Sequence, residues 1–391
     1  MRGRSLPHDR FLRVATSRTG EGVQDYTDAD TQRGSIQPTM AKIVAGFASS
    51  HTPLMSLPGQ DWAKRADDDK RNRELVRPSD GKHVTYDELL ESADPKIAEQ
   101  IDEDIFCRKY QSIQLALNEL QDTFAQVNPD VVVMFGDDQD EMFFDDNYPM
   151  ISVYWGDVLT HYPRVMTRPG MSEAIRISAS VYGTEIIDYP VETGLGRYLV
   201  EQLGERDFDV AQSRYMKEEY GGTIGPGTWY LDFQRNTKPR KQGMAHAFAF
   251  PVCRWFAGKR PAMVPITINT CYPPNWISPR RAYALGRAVR ESIEAWDSDA
   301  RVAIVTSGGL SHFTVDEDID RLALKGLTTA DGGILSTLPR YKLQSATTEI
   351  LNWVAASGAM GDTPMEQITY QPGYRSPAGT GCGCAVGRWL P

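Results

Sequence analysis

The sequence predicts an α/β fold, with a doubly wound, mostly parallel sheet flanked by helices. Four short apolar segments have the length and composition of buried strands, at residues 42–47, 130–135, 263–270 and 301–306. Continuous apolar runs of this kind are typical of strands buried on both faces, as in a parallel sheet. Segments with helical periodicity lie between them, and this alternation indicates an α/β architecture.

The helices are predicted from apolar spacing and from capping residues. In residues 108–127 the apolar side chains recur at helical spacing, at Ile113, Leu117, Leu120 and Phe124, and the Asn128-Pro129 pair ends the helix. Ser278-Pro279 supplies an N-cap and a first-turn proline for another helix. Its apolar face carries Leu285, Val289, Ile293 and Trp296. Further helices are expected near residues 86–92 and 343–356.

The character of the chain changes at Met40. Residues 1–39 are polar without a sustained apolar period, and they predict a flexible arm. Met40 is a second candidate for the start of the chain, with the arm as an upstream extension. The length of 391 residues would allow two domains, but single α/β domains of this size are common. We predict one catalytic α/β domain over residues 40–391.

Composition excludes several classes of partner. The formal net charge is −10, so the Lys/Arg excess that nucleic acid or an anionic membrane surface requires is missing. A small anionic substrate stays open, because one or two local arginines suffice. The chain shows neither an apolar run of bilayer length nor a secretory signal. Its five cysteines are sparse and odd in number, which predicts reduced thiols and a cytoplasmic location.

Three polar segments follow three of the predicted strands. They are Ser-Ser-His51, Gly-Asp-Asp-Gln139 and Leu-Ser-His312. Doubly wound sheets bind ligands beyond the carboxyl ends of their strands, so these segments are expected to converge on one rim. Metal binding by Cys382-Gly-Cys384 is disfavoured, because no second Cys/His pair stands at zinc-site spacing.

Histidines and one glutamate are the candidate chemical groups. A single histidine is more often a hydrogen-bonded structural residue, but His51 and His312 both stand at strand ends with Gly/Ser neighbours, which favours a functional site. His246 lies beside an apolar stretch. Glu349 is the only acid in residues 343–360, which makes it a candidate ligand. The alternative interpretation is a solvent-exposed charge on a helix face. Imidazole with carboxylate is the ligand set of non-haem iron sites. The acids at 137, 138, 140 and 141 are expected to be solvated loop charges.

These motifs resemble class III extradiol ring-cleavage dioxygenases, specifically the catalytic large (beta) subunit of the protocatechuate 4,5-dioxygenase type. A histidine closely followed by proline matches His51-Thr-Pro53, and an apolar run ending in Asn-Asp-His matches residues 131–139. The Gly-Gly-Met-Ser-His signature matches Gly308-Gly-Leu-Ser-His312. A late Glu before Trp, with a Gly-Ala-Met ending, matches residues 349–360. The resemblance runs from about residue 40 to 360 and is weak over 150–240.

The resemblance implies roles by position. His51 and Glu349 are expected metal ligands, His312 the acid/base for the substrate hydroxyl proton, and His246 a hydrogen-bond partner of substrate or oxygen. Gln139 stands where the family has its second histidine ligand. An amide oxygen is a harder and weaker donor than imidazole, so metal affinity is expected to fall. Asp138 is the alternative third ligand, which would give a two-carboxylate site.

The implied function is a metal-dependent extradiol-type dioxygenase of aromatic compound catabolism. It would use O₂ to cleave the ring of a catechol-like substrate beside, not between, the two hydroxyls. Fe(II) is the favoured ion, with Mn(II) or another divalent metal open, and a homo-oligomer is also open. One alternative keeps the fold with another metal and a non-catechol substrate. Another is a non-catalytic binding protein with a vestigial site, which the joint presence of His51, His246, His312 and Glu349 weighs against.

Overall fold

The structure, a computed structural model, describes residues 39–143, 147–163, 171–216 and 243–391. Its strands are β1 (Lys42–Ser49), β2 (Val131–Gly136), β3 (Ile151–Tyr154), β4 (Val158–His161), β5 (Ile187–Pro190), β6 (Ala211–Ser213), β7 (Ala262–Ile268), β8 (Arg301–Ser307), β9 (His312–Thr314), β10 (Glu366–Tyr374) and β11 (Thr380–Trp389). The predicted arm falls on residues outside the described part, apart from its last one, and the division into arm and domain stays a prediction.

Nine of these strands form one mixed sheet. Its order is β10-β11-β1-β8-β2-β7-β3-β6, and β9 pairs with β11. The four central strands β1, β8, β2 and β7 are mutually parallel, which confirms the predicted α/β class. The flanking strands β3 and β11 are antiparallel to their central neighbours. Strands β4 and β5 form a separate antiparallel pair.

Helices cover both faces of the sheet. They are α1 (Trp62–Asp69), α2 (Tyr86–Glu91), α3 (Glu103–Val127), α4 (Glu173–Ser178), α5 (Thr193–Gly204), α6 (His246–Arg254), α7 (Pro279–Glu294), α8 (Glu317–Thr328), α9 (Gly332–Ser336) and α10 (Ile350–Met360). Short 3-10 turns cover Pro53–Met55, Gly59–Asp61, Pro95–Gln100, Ala179–Tyr182 and Ser345–Glu349. No helix in the described ranges is long and apolar enough to cross a membrane.

Strand β2 shows why its run is apolar throughout. Val133 and Phe135 belong to the core that contains the apolar faces of α7 and α10. Val132 and Met134 belong to the opposite core, with α3 and α6. Because side chains alternate along a strand, a strand covered on both faces needs apolar residues at every position. All six residues of β2 are buried.

Capping residues set the ends of the main helices near the predicted positions. Ser278 accepts a hydrogen bond from the backbone N–H of Arg281, with Pro279 in the first turn. Helix α3 ends at Val127, and its C-cap Asn128 adopts a left-handed conformation with φ of 44°, as Asn tolerates at helix ends. Its start at Glu103 is earlier than predicted, because Asp102 caps it by accepting from Asp104 N–H.

The predicted helix over 343–356 is interrupted. Ser345 has a φ of 51°, which an α-helix does not allow. The chain instead makes the 3-10 turn Ser345–Glu349 before α10 begins at Ile350. Glu349 is therefore the last residue of this turn and the N-cap of α10, rather than a residue on the side of a helix.

Candidate metal centre

The predicted site residues converge at the carboxyl ends of the parallel strands. His51 follows β1, Gln139 follows β2, His312 comes after β8, and Glu349 arrives from the turn before α10. His246 is the first residue of α6. All five side chains are buried. Gln139, His51 and His312 each lie beside Glu349, and His246 lies against His51, so the structure brings the predicted group together.

Glu349 lies at the middle of the cluster, and protein groups hold both of its oxygens. Oε2 accepts a hydrogen bond from the backbone N–H of Gly309 at 2.6 Å and lies 3.1 Å from His51 Nε2. Oε1 accepts from Gln139 Nε2 at 2.9 Å. Burial raises the pKa of Glu349, but His312, His51 and the Gly309 hydrogen bond together bring it well below its ordinary value. The carboxylate is therefore charged.

His51 presents one ring nitrogen to Glu349. Its Nδ1 lies 2.8 Å from Ser307 Oγ, which fixes the ring. Its Nε2 is buried and lies 3.1 Å from Glu349 Oε2, and it makes no other hydrogen bond among the described residues. Two ligand atoms that each lie about 2.1 Å from one ion are roughly 3 Å apart when the two metal–ligand bonds form a right angle. A buried imidazole nitrogen this close to a carboxylate oxygen thus fits a shared cation.

Gln139 bridges two carboxylates with its amide nitrogen. Nε2 donates to Glu349 Oε1 at 2.9 Å and to Asp137 Oδ2 at 3.1 Å. Asp137 Oδ1 in turn accepts from Asn352 Nδ2 at 2.9 Å. Burial, followed by repulsion from Glu349, raises the pKa of Asp137 to about 7. Asp137 is thus part of the centre.

The expectation of solvated loop charges after β2 is wrong for three of the four acids. Asp137 and Glu141 are fully buried, and Asp138 is 1% exposed. The loop folds inward because Asp138 accepts hydrogen bonds from the backbone N–H groups of residues 141, 142 and 143 at 3.3, 2.6 and 3.1 Å. Tyr148 also donates to its Oδ2 at 3.0 Å. Asp138 is thus committed to shaping the loop.

Glu141 orients His246. Its Oε2 accepts from His246 Nδ1 at 2.8 Å and from the His246 backbone N–H at 3.0 Å. The His246 and His51 rings meet edge to face with centroids 4.5 Å apart. A carboxylate on one imidazole nitrogen fixes the tautomer and directs the other nitrogen. Sequence reasoning missed Glu141, and the only available signal was its place in the polar segment after β2.

His312 is fixed by backbone contacts. Its Nδ1 donates to the Leu310 carbonyl at 2.9 Å, which leaves Nε2 3.9 Å from Glu349 Oε2. The Thr347 hydroxyl accepts from the His312 N–H at 2.9 Å and donates to the His312 carbonyl at 2.7 Å. Burial lowers the pKa of His312, but Cys382 and Glu349 raise it by more, to about 10. In the metal-free protein the ring is therefore protonated near neutral pH.

The two glycines before His312 are required by close contacts. A Cβ at Gly308 would lie 2.9 Å from the Glu349 carbonyl oxygen, and a Cβ at Gly309 would fall on the His312 imidazole. Only glycine lets the backbone approach the Glu349 carbonyl and the His312 ring this closely. This gives a physical reason for the Gly-Gly pair of the sequence motif.

A small apolar cluster adjoins the centre. It contains Cys271, Tyr272 and Phe313, with Tyr148 packed against it. Asp137, Cys271 and Glu349 each offer a ligand atom within 4.8 Å of the others, as do His51, Asp137 and His246. Burial, followed by the charges of Asp137 and Glu349, raises the pKa of Cys271 well above its ordinary value. A neutral thiol is a poor metal ligand, so the carboxylates and imidazoles are the better donors.

The centre has the charge balance of a cation site. In the described residues, no hydrogen bond or ion pair joins Asp137 or Glu349 to a lysine or arginine. Buried carboxylates are normally paired or bound to metal. Two buried acids beside two imidazoles therefore fit a divalent metal ion, in a cluster with the mixed N,O donors that suit non-haem iron.

Comparison with known proteins agrees with this chemistry. Residues 246–383 match the family model described as the catalytic LigB subunit of aromatic ring-opening dioxygenase. The matched segment contains His246, His312 and Glu349, and it supports the class III extradiol dioxygenase family. His51 and Gln139 lie outside it. A comparison with curated proteins gives no match.

Among solved structures, an uncharacterized protein from Escherichia coli K12 is similar at 13% identity, over 69% of this chain and 91% of that chain. Its TM-score is 0.38, a similarity too low to bear on the site.

Proposed function

We propose that this protein is a metal-dependent dioxygenase of the extradiol type, related to protocatechuate 4,5-dioxygenase, that opens the ring of a catechol-like substrate with O₂. One observation carries the proposal. The buried His51 Nε2 lies 3.1 Å from Glu349 Oε2 and makes no other hydrogen bond among the described residues, with His312 and His246 beside the pair. The family model over residues 246–383 supports the same reaction class.

His51 and Glu349 would hold the metal ion, and the segment after β2, where the sequence predicts Gln139, would complete the set. Fe(II) is the favoured ion because imidazole and carboxylate with open positions suit it, and Mn(II) has similar oxygen preferences. When bound, such an ion would supply the redox chemistry and the common binding point for the substrate hydroxyls and O₂.

His312 would move the proton of a substrate hydroxyl. Its Nδ1–H is tied to the Leu310 carbonyl, so Nε2 is the nitrogen available for proton transfer. Because a cation held by Glu349 disfavours a second positive charge nearby, metal loading favours the neutral ring, which accepts a proton. The ring would then return this proton as an acid.

His246 would contact the substrate or O₂ from the opposite side. The Glu141 carboxylate fixes its tautomer and its direction, and the edge-to-face contact with His51 keeps it next to the metal position. The apolar cluster of Tyr272 and Phe313 would supply the water-poor wall on which an aromatic ring packs.

Oxygen uptake tests the proposal. The purified protein is loaded with Fe(II) without air, then mixed with air-saturated buffer and a panel of catechols. We expect one panel member to consume one O₂ per molecule and to give a ring-opened product that keeps both oxygen atoms of ¹⁸O₂. Tight Fe(II) binding without oxygen uptake on any catechol would overturn the proposal.

A further inference from the structure

The two acids of the centre, Asp137 and Glu349, accept hydrogen bonds from the same side chain. Gln139 donates both of its amide hydrogens within the cluster, to Glu349 and to Asp137. Asn352 from α10 holds the other Asp137 oxygen, and Gly309 holds the other Glu349 oxygen. Each carboxylate is therefore fixed by two donors, yet every carboxylate oxygen keeps a further lone pair.

We infer that Asp137, and not Gln139, is the third protein ligand of the metal ion, and that Gln139 is a positioning residue for both carboxylates. The centre would then be His51, Asp137 and Glu349, one imidazole and two carboxylates. The inference rests on the metal dependence of the proposed function, and it changes the third ligand expected from the sequence.

Distances support this set. His51 Nε2 and Glu349 Oε2 are 3.1 Å apart. Ligand atoms of His51, Asp137 and His246 lie within 4.8 Å of one another, and so do those of Asp137, Cys271 and Glu349. Ligand atoms about 2.1 Å from one ion lie at most roughly 4.2 Å apart. Asp137 is the acid that belongs to both groups, so it lies next to both His51 and Glu349.

Charge also favours the aspartate. Asp137 is fully buried, and among the described side chains its donors are the amides of Gln139 and Asn352. Removing charge from water without a compensating charge is costly. A divalent cation bound by Asp137 and Glu349 would be neutralised by the two carboxylates, whereas a site using Gln139 in place of Asp137 would leave a buried carboxylate beside it without a ligand role.

Ligation by Gln139 would also break existing hydrogen bonds. The amide would have to turn its oxygen towards the ion, and its nitrogen would then leave both Asp137 Oδ2 and Glu349 Oε1. Among the described side chains, Gln139 is the one donor to each of these oxygens. Leaving buried acceptors unsatisfied costs about 1–3 kcal/mol each, and more for charged groups. With Asp137 as the ligand, all four hydrogen bonds stay in place.

Metal titration separates the two assignments. Mn(II) is titrated into wild type, Asp137→Asn and Gln139→Leu by calorimetry, with circular dichroism to confirm folding. Loss of an outer partner typically weakens metal binding about 10–100-fold. We expect Gln139→Leu to fall in that range and Asp137→Asn to exceed it. The opposite order, or unchanged affinity in Asp137→Asn, would overturn the inference.

A cysteine probe reports ligation directly. In a Cys271→Ser background, Asp137→Cys and Gln139→Cys are each loaded with Co(II). A thiolate bound to the ion gives an intense near-ultraviolet charge-transfer band, because thiolate is a soft, easily oxidised ligand. We expect the band in Asp137→Cys only. The band in Gln139→Cys only would assign ligation to residue 139 and overturn the inference.

These readouts do not depend on turnover. If Asp137→Asn loses Mn(II) but wild type opens no catechol, the ligand set stands and the proposed reaction falls. If wild type opens a catechol while Asp137→Asn binds Mn(II) as tightly as wild type, the reaction stands and the ligand inference falls.

Discussion

Glu141 accepts two hydrogen bonds from His246 through one carboxylate oxygen. They come from Nδ1 at 2.8 Å and from the backbone N–H at 3.0 Å. This contact sets both the start of α6 and the direction of its first side chain. The loop after β2 therefore contributes twice to the site, through Asp137, which Gln139 links to Glu349, and through Glu141, which bonds His246.

Glu141→Gln is expected to lower turnover while leaving metal content unchanged. The amide still fills the space, but it no longer stabilises the Nδ1–H tautomer of His246 with a negative charge. Loss of such an outer partner typically costs about 10–100-fold in activity. Steady-state kinetics and metal analysis on the same preparation check this. A matching loss of metal would instead make His246 a ligand.

His51→Ala and Glu349→Ala are each expected to abolish stoichiometric metal binding, because each removes a donor from the 3.1 Å pair. Metal analysis after dialysis against Fe(II) or Mn(II) measures this, and circular dichroism shows whether the fold is kept. Full metal content in both variants would contradict the ligand assignment. Thr328→Ala, a change of a partly buried helix residue that bonds its own helix, is the control.

His312→Phe is expected to bind metal normally and to lose turnover by about a hundredfold or more, the usual size of general acid/base help. Phenylalanine fills the space beside Gly309 but carries no proton. Single-turnover kinetics with the metal-loaded variant measures the loss. Turnover equal to that of wild type would remove His312 from the reaction.

Asp320, outside the metal centre, links stability to pH. Burial raises its pKa from 3.8 to about 7, although hydrogen bonds from Ser311 and Tyr370 oppose this. Between those values the native protein holds a proton that the unfolded chain has lost, so this group makes the free energy of unfolding fall as pH rises from about 4 to about 7.

Asp320→Asn removes that titration. Its free energy of unfolding, relative to wild type, is therefore expected to be higher at about pH 8 than at about pH 5. Urea unfolding at both pH values measures the difference. An identical offset at the two pH values would show that Asp320 keeps its ordinary pKa in the native protein.

Local sequence signals predicted the parts of the fold that they determine. The β2 segment is apolar at every position because both of its faces are covered, and Ser278-Pro279 starts α7 through its own cap. Strand β11, rich in Gly and Cys, has no such pattern. Its pairing with β1 and β9 depends on distant partners, which a single sequence does not reveal.

The site residues also divide into those whose position the sequence could predict and those whose burial it could not. Residues at strand ends, such as His51 and His312, could be predicted because the topology of parallel sheets places them. Burial of Asp137 and Glu141 could not, because it results from the inward fold of their loop around Asp138. A run of acids looks the same in a sequence whether water or a metal ion balances its charge.

Gly309→Ala is expected to reduce turnover strongly without removing the metal ligands. The added Cβ would occupy the position of the His312 imidazole, so the ring must rotate away from Glu349. Gly309 also donates its N–H to Glu349 Oε2, and a backbone shift that relieves the clash would lengthen this bond. We expect a loss of turnover comparable to that of His312→Phe and a smaller loss of metal affinity.

Gly204→Ala is the matched control, because a Cβ there meets nothing within 4 Å. Turnover of Gly309→Ala equal to that of Gly204→Ala would show that His312 does not need its position against Gly309.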